Sequence, residues 1–218
     1  MHNVSGKITP QDEIALKKML KSIDLKENPT FEEEINYIRS VQDAVLDASA
    51  LFLKIPLGKP REPQDLLSSG HGQCSDRART IEKALKYSGF EVRFFSVFSS
   101  ERTFIPKDIR ENSMERFLRS HALVEVKTNR GWLIVDTNDR WISLDAENNP
   151  VSIETWDNVK DKEHFKWTNE NPGEIYWLLR GDFMIFYGLY SRHGKFYPPY
   201  TPYVPDINLQ TMIKGHLF

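Results

Sequence analysis

Gly70-His71-Gly72-Gln73-Cys74-Ser75-Asp76 carries a glycine-flanked run into the start of a helical pattern. Cys74, Ala78, Ile81 and Leu85 recur at helical spacing, which predicts a helix over about residues 74–88 with an apolar face. Gly89 stands where a left-handed C-terminal cap is wanted. Cys74 therefore falls in a first helical turn, where unpaired amide N–H groups and the helix dipole favour a thiolate, the nucleophilic form of the side chain. The N–H groups at that corner could also face a developing oxyanion. A free cysteine is more often a small buried hydrophobe, so the nucleophile reading needs partners.

Two segments further along supply them. Residues 121–127 and 132–136 read as strands around Thr128-Asn129-Arg130-Gly131, a hairpin signal. His121 opens the first strand and Asp136 closes the second. A turn centred on residues 128 and 129 makes them a directly opposed pair. A turn centred on 129 and 130 makes them diagonal neighbours. Both registers keep the two side chains on one face and within reach. A carboxylate beside an imidazole fixes its tautomer and stabilises the imidazolium. Cys74, His121 and Asp136 are thus the candidate catalytic residues.

The rest of the chain frames this region. Thr9-Pro10-Gln11-Asp12 is a helix start, with Ile14, Leu16, Leu20 and Ile23 as its partly apolar face. Thr30 and Glu33 form a capping box, and apolar positions from Ile35 to Leu53 extend that helix to near Pro56. Residues 55–63 read as a Pro/Gly-rich connector, and residues 70–73 as a flexible loop before the cysteine. Residues 90–98 predict a buried strand, apolar on both faces, and residues 108–118 a short helix. His164 and His193 read as a solvated charge cluster and a turn, and Trp132, Trp141, Trp156 and Trp177 as core or cleft wall. Residues 176–203 are rich in aromatics and then broken by prolines, a packed C-terminal extension. The expected organisation is one domain over residues 1–218, with N-terminal helices to 60, a core over 61–150 and an extension over 151–218.

Composition removes several functional classes. The single cysteine rules out an intramolecular disulfide framework and any multi-thiolate zinc site. His71, Cys74, His121 and Asp136 are four conceivable metal ligands, but structural zinc sites usually carry more cysteines, so no metal or cofactor is expected. With 29 basic against 31 acidic residues, the chain lacks the footprint of a nucleic-acid binder. No run approaches the ~18 apolar residues of a membrane span, and the polar N-terminus lacks a secretory signal. The expected location is cytoplasmic.

Four pieces in order resemble the transglutaminase-like superfamily, which is related to papain-like cysteine proteases. They are residues 65–76, ending Gly72-Gln73-Cys74-Ser75-Asp76; Gly89-Phe90-Glu91-Val92-Arg93; His121-Ala122-Leu123-Val124-Glu125-Val126; and Gly131-Trp132-Leu133-Ile134-Val135-Asp136-Thr137. Where the family often has an aromatic after His-Ala, this chain has Leu123. The resemblance covers roughly residues 65–144. It implies an α+β fold in which a central helix bearing Cys74 packs on an antiparallel sheet bearing His121 and Asp136. It also implies acyl transfer from a carboxamide or peptide bond through an acyl-thioester, with hydrolysis favoured over cross-linking and a peptide or protein amide as substrate. The family's side-chain oxyanion donor could be Gln64, His71 or Gln73. The competing reading is a catalytically inactive binding module of the same fold.

Overall fold

A computed structural model describes residues 2–53, 55, 61–99, 120–156, 178–179, 181–190 and 206–216. The expected helix over 108–118, His164, His193 and Trp177 lie outside the described residues. The chain order is β1 (His2–Asn3), α1 (Pro10–Met19), α2 (Phe31–Ala48), α3 (Pro63–Ser69), α4 (Cys74–Tyr87), β2 (Glu91–Ser99), β3 (Ser120–Thr128), β4 (Gly131–Val135), α5 (Ile153–Trp156), β5 (Phe183–Tyr187), β6 (Leu189–Tyr190), β7 (Asp206–Ile207) and α6 (Leu209–His216). The fold is α+β. A four-stranded antiparallel sheet in the order β4-β3-β2-β5 forms its centre, and β1, β7 and β6 make a small second sheet.

Helix starts follow the local chemistry of the sequence. Thr9 Oγ1 accepts from the Asp12 N–H at 3.2 Å, and Thr30 Oγ1 from the Glu33 N–H at 3.3 Å. Each acid bonds back to the cap N–H, which satisfies two orphan donors reciprocally. Three expectations need correction. Of the expected face of α1, Leu16 and Leu20 are buried and Ile23 packs against the core, but Ile14 is exposed, and Asp12 and Ala15 are buried as well. Helix α2 ends at Ala48, not near Pro56: Ser49 leaves helical geometry at φ −130° and ψ 44°, where its hydroxyl and carbonyl accept from Arg77. Leu51, Phe52 and Leu53 then run exposed beyond it. The stretch before Cys74 is not loose: it contains α3, with Pro63 in its first turn, and Gly70 closes α3 at φ +69°. His71 bridges to Leu51.

Helix α4 is the centre of the molecule. Its apolar side, with Ala78, Ile81, Ala84 and Leu85, packs into one core with Val92, Phe94, Ala122, Val124 and Val126 of the sheet and with Ile38, Val41 and Val45 of α2. The opposite face of the sheet buries Phe95, Val97, Leu123 and Ile134 against Trp141, Trp156 and Tyr187. The expectation that β2 is apolar on both faces holds. The segment read as an extension supplies the edge strand β5, paired antiparallel to β2 with Tyr187 opposite Phe95.

The polar side of α4 is also buried. Lys83 Nζ reaches Asp12 Oδ2 at 2.5 Å and Glu62 Oε2 at 2.8 Å. Arg79 pairs with Glu62 and Glu82, each at 3.0 Å, and the Tyr190 hydroxyl donates to Glu82. These contacts tie α4 to α1, to the start of α3 and to β6. A buried ion pair adds little beyond a hydrophobic substitute, but removing one partner strands a charge in the interior. Lys83→Met should therefore lower unfolding stability by about 3 kcal/mol at neutral pH, measured by urea titration. A loss below about 1 kcal/mol would show that Asp12 and Glu62 do not depend on this lysine.

Candidate active site

Cys74 is the first residue of α4 and is almost fully buried. The turn that delivers it is tight. The Gln73 N–H donates to Asp76 Oδ2 at 2.9 Å, and the Gly72 N–H to the Leu51 carbonyl at 3.2 Å. A Cβ at Gly72 would come within 3.1 Å of Asp76 Cβ and 3.2 Å of Leu66 Cδ1, so glycine lets α3 and α4 approach here. As a first-turn residue, Cys74 has an N–H with no intrahelical acceptor.

The hairpin register resolves the placement of His121 and Asp136. Thr128 pairs with Gly131 and Val124 with Val135, so the turn is centred on residues 129 and 130. His121 and Asp136 are diagonal neighbours, and His121 Nε2 lies 3.3 Å from Asp136 Oδ1. Cys74 also acts on the ring, favouring its charged form. The structure therefore brings all three sequence-predicted residues together. Both His121 and Asp136 are buried, Asp136 completely.

The carboxylate is held from its own loop. The N–H groups of Asn138 and Asp139 donate to Asp136 Oδ1 at 2.7 and 3.2 Å. Asp136 Oδ2 has no hydrogen-bond partner among the described residues. Gln42, buried on α2, fastens the loop: its Nε2 faces the carbonyls of Asp136, Asp139 and Trp141 at 2.8, 3.0 and 2.8 Å. Thr137 Oγ1 donates to the Ala122 carbonyl at 2.6 Å and stands 3.5 Å from His121 Nε2. Asn138 Nδ2 lies 3.5 Å from His121 Nδ1.

Burial by itself would push the His121 imidazolium down. The charge and hydrogen bond of Asp136 oppose it, with a smaller contribution from Cys74, and the His121 pKa rises to about 10. A pKa of about 10 keeps the ring in its protonated form at neutral pH. An imidazolium beside a cysteine favours the thiolate, and a thiolate attacks acyl carbons.

Several functional neighbours were not read from the sequence. Gln42 and Ser49 lie on a helix read only for its apolar face. Arg77 lies three residues after Cys74, and Asn138 two after Asp136, so both spacings were visible but silent without the fold. Of the three oxyanion candidates, Gln64 is exposed on α3, while His71 and Gln73 flank Cys74 in sequence. His71 Nδ1 lies 3.2 Å from the Leu53 carbonyl. Among the described residues, no group of three or more His, Cys, Asp or Glu could hold a metal ion. Nor is any helix among them long and apolar enough to cross a membrane.

Comparison with known proteins fits this geometry. A search of curated proteins finds no significant match. A family model described as the transglutaminase-like superfamily matches residues 22–137, more than half of the 218-residue chain. The match runs from ahead of α2 through Cys74 and His121 to the residue after Asp136. Members of that family generally carry a cysteine-based acyl-transfer or protease-like activity. With more than half of its length matched, the chain belongs to the transglutaminase-like superfamily.

Proposed function

We propose that the protein is a thiol-dependent hydrolase of carboxamide or peptide bonds, acting through Cys74, His121 and Asp136. The observation that carries this reading is the buried His121 ring, with Nε2 3.3 Å from Asp136 Oδ1 and with Cys74 favouring its charged form. In this reaction the His121 imidazolium already carries the proton of Cys74, and the thiolate attacks the carbonyl carbon. A C–S bond forms, and the Cys74 N–H stabilises the oxyanion. When the tetrahedral intermediate collapses the C–N bond breaks, and His121 gives its proton to the departing amine. Water, deprotonated by His121, then cleaves the thioester, releasing the acid and the thiol. Asp136 stays ionised and fixes the tautomer and orientation of His121. Water is taken as the acceptor because it needs no subsite of its own, whereas an amine acceptor would.

Profiling against a library of peptide amides, with and without an added primary amine, tests the reading. Wild type should release free acid, and Cys74→Ala should release none. Turnover by Cys74→Ala near that of wild type would sink the cysteine mechanism. Amine-capped products in place of acid would move the assignment to cross-linking. An inert wild type would move it to a binding module.

His121→Ala should be nearly as inactive as Cys74→Ala, since such residues act as a unit. Asp136→Asn should cost less than His121→Ala, although the loss of tautomer control can still reach about 10⁴-fold. His71→Ala should keep measurable turnover, losing at most about 10²-fold, the effect of one oxyanion donor. If His71→Ala is dead and His121→Ala turns over, the base has been assigned to the wrong histidine.

The same contact makes stability depend on pH. The His121 pKa is about 10 in the folded protein and about 6.5 when unfolded, so its contribution is complete below pH ~6.5 and fades as pH rises through 10. The gap in Tm between wild type and His121→Gln should be widest near pH ~6 and should narrow towards pH ~10. A gap that is constant or widens over this range would contradict a protonated His121.

A further inference from the structure

Arg77 is an arginine that the reaction above does not use. It lies on α4 three residues after Cys74 and is 5% exposed. Its guanidinium is held by neutral groups. Nε donates to Ser49 Oγ at 3.1 Å and Nη2 to the Ser49 carbonyl at 2.6 Å. Nη1 donates to Asn138 Oδ1 at 3.4 Å, and the Phe52 ring covers the group at 5.3 Å. Among the described residues, no carboxylate lies within ion-pair distance of it. The helix's other inward arginine, Arg79, has both Glu62 and Glu82. Arg61, also buried near the sulfur, has Asp76 at 3.4 Å.

A buried cation without a counter-ion is costly, and proteins keep one only where something offsets the cost. Carboxylates act on Arg77 from a distance, through Asp76 on its own helix and Asp136 and Asp139 on the β4 loop. After burial, which lowers its pKa, the largest influence on Arg77 is Cys74. The other titratable groups that interact with Cys74 are His121 on β3 and Arg61 ahead of α3, while His71 ahead of α4 acts on Asp76.

We propose that Arg77 is a positioning residue that supplies a second, fixed counter-charge to the Cys74 thiolate while holding Asn138 beside His121. The inference rests on the cysteine mechanism above and deepens it. His121 remains the group that carries the proton of Cys74. Arg77 neither gives nor takes a proton, and its role is to make the charged sulfur the favoured partner of an otherwise unpaired cation. Ser49, the C-cap of α2, then acts through Arg77, which couples the end of one helix to the start of another.

The test is the rate of Cys74 alkylation by iodoacetamide as a function of pH. Arg77→Met should react about tenfold more slowly than wild type near pH ~6 and converge with it at high pH, as expected for losing one unit of thiolate stabilisation. Arg77→Lys, which keeps the charge, should stay within about threefold of wild type. Should Arg77→Met lower Tm but leave the pH profile of alkylation unchanged, the residue is structural and the proposal fails. His121→Ala separates the two readings. If it slows alkylation and Arg77→Met does not, only the Arg77 role falls; if neither does, the cysteine mechanism falls with it. Should neither Arg77 variant fold, wild type alone decides the matter. The Arg77 Nε resonance must then move with pH at the same midpoint as the ultraviolet absorbance of the thiolate, and a resonance that ignores that midpoint overturns the proposal.

Discussion

A helix buried on all sides must neutralise whatever charge it carries, and α4 carries a great deal. Asp76, Arg77, Arg79, Glu82 and Lys83 are all at or below 5% exposure. Water cannot solvate them, so partners have to come from elsewhere in the chain. Asp12 arrives on α1, Glu62 at the start of α3 and Tyr190 on β6. The arrangement of the peripheral elements follows from this need as much as from the apolar contacts. Each is held in place by a charge that would be stranded without it. Cys74 heads this helix, so the scaffold that satisfies α4 also fixes the position of the sulfur.

The sheet solves a related problem. Strand β3 is buried on both faces, with Ala122, Val124 and Val126 towards α4 and Leu123 towards the tryptophans. Glu125, also fully buried, meets Arg93 Nε at 2.6 Å and accepts from the Ile153 N–H at 2.7 Å. The Arg93 guanidinium in turn lies 4.3 Å from the Trp132 ring. His121 sits near the end of this rigid strand, and Asp136 just beyond the end of β4. The loop after Asp136 would be the weak point of such a site. Gln42 removes that weakness by taking three carbonyls with one amide. A pocket built on strands and stapled from a helix keeps a hydrogen-bonded pair in register more precisely than a free loop would.

The site also shows how stability and chemistry trade against each other. Arg79 and Lys83 are neutralised by carboxylates, which serves folding. Arg77 is bonded to neutral groups, and in the proposed mechanism it and His121 serve a charged sulfur. The same helix carries both solutions, within a few residues of each other.

Much of this was legible in the sequence because it is governed by local rules. Thr9 and Thr30 with an acid three residues on, the helical spacing after Cys74, Gly89 as its cap at φ +93° and the hairpin around residues 129 and 130 all depend on near neighbours in the chain. So does the approach of His121 to Asp136, since a short hairpin leaves only two registers. Other features were decided by contacts between distant segments. Helix α2 ends early because the Ser49 carbonyl and hydroxyl accept from Arg77, 28 positions away. Strand β5 joins the sheet from a region that sequence alone leaves as a tail. Gln42 reads as one polar residue on an amphipathic helix until the β4 loop folds over it. Whether a buried polar group is a liability or a staple depends on which partner the tertiary structure brings within hydrogen-bond distance, and no spacing along the chain encodes that.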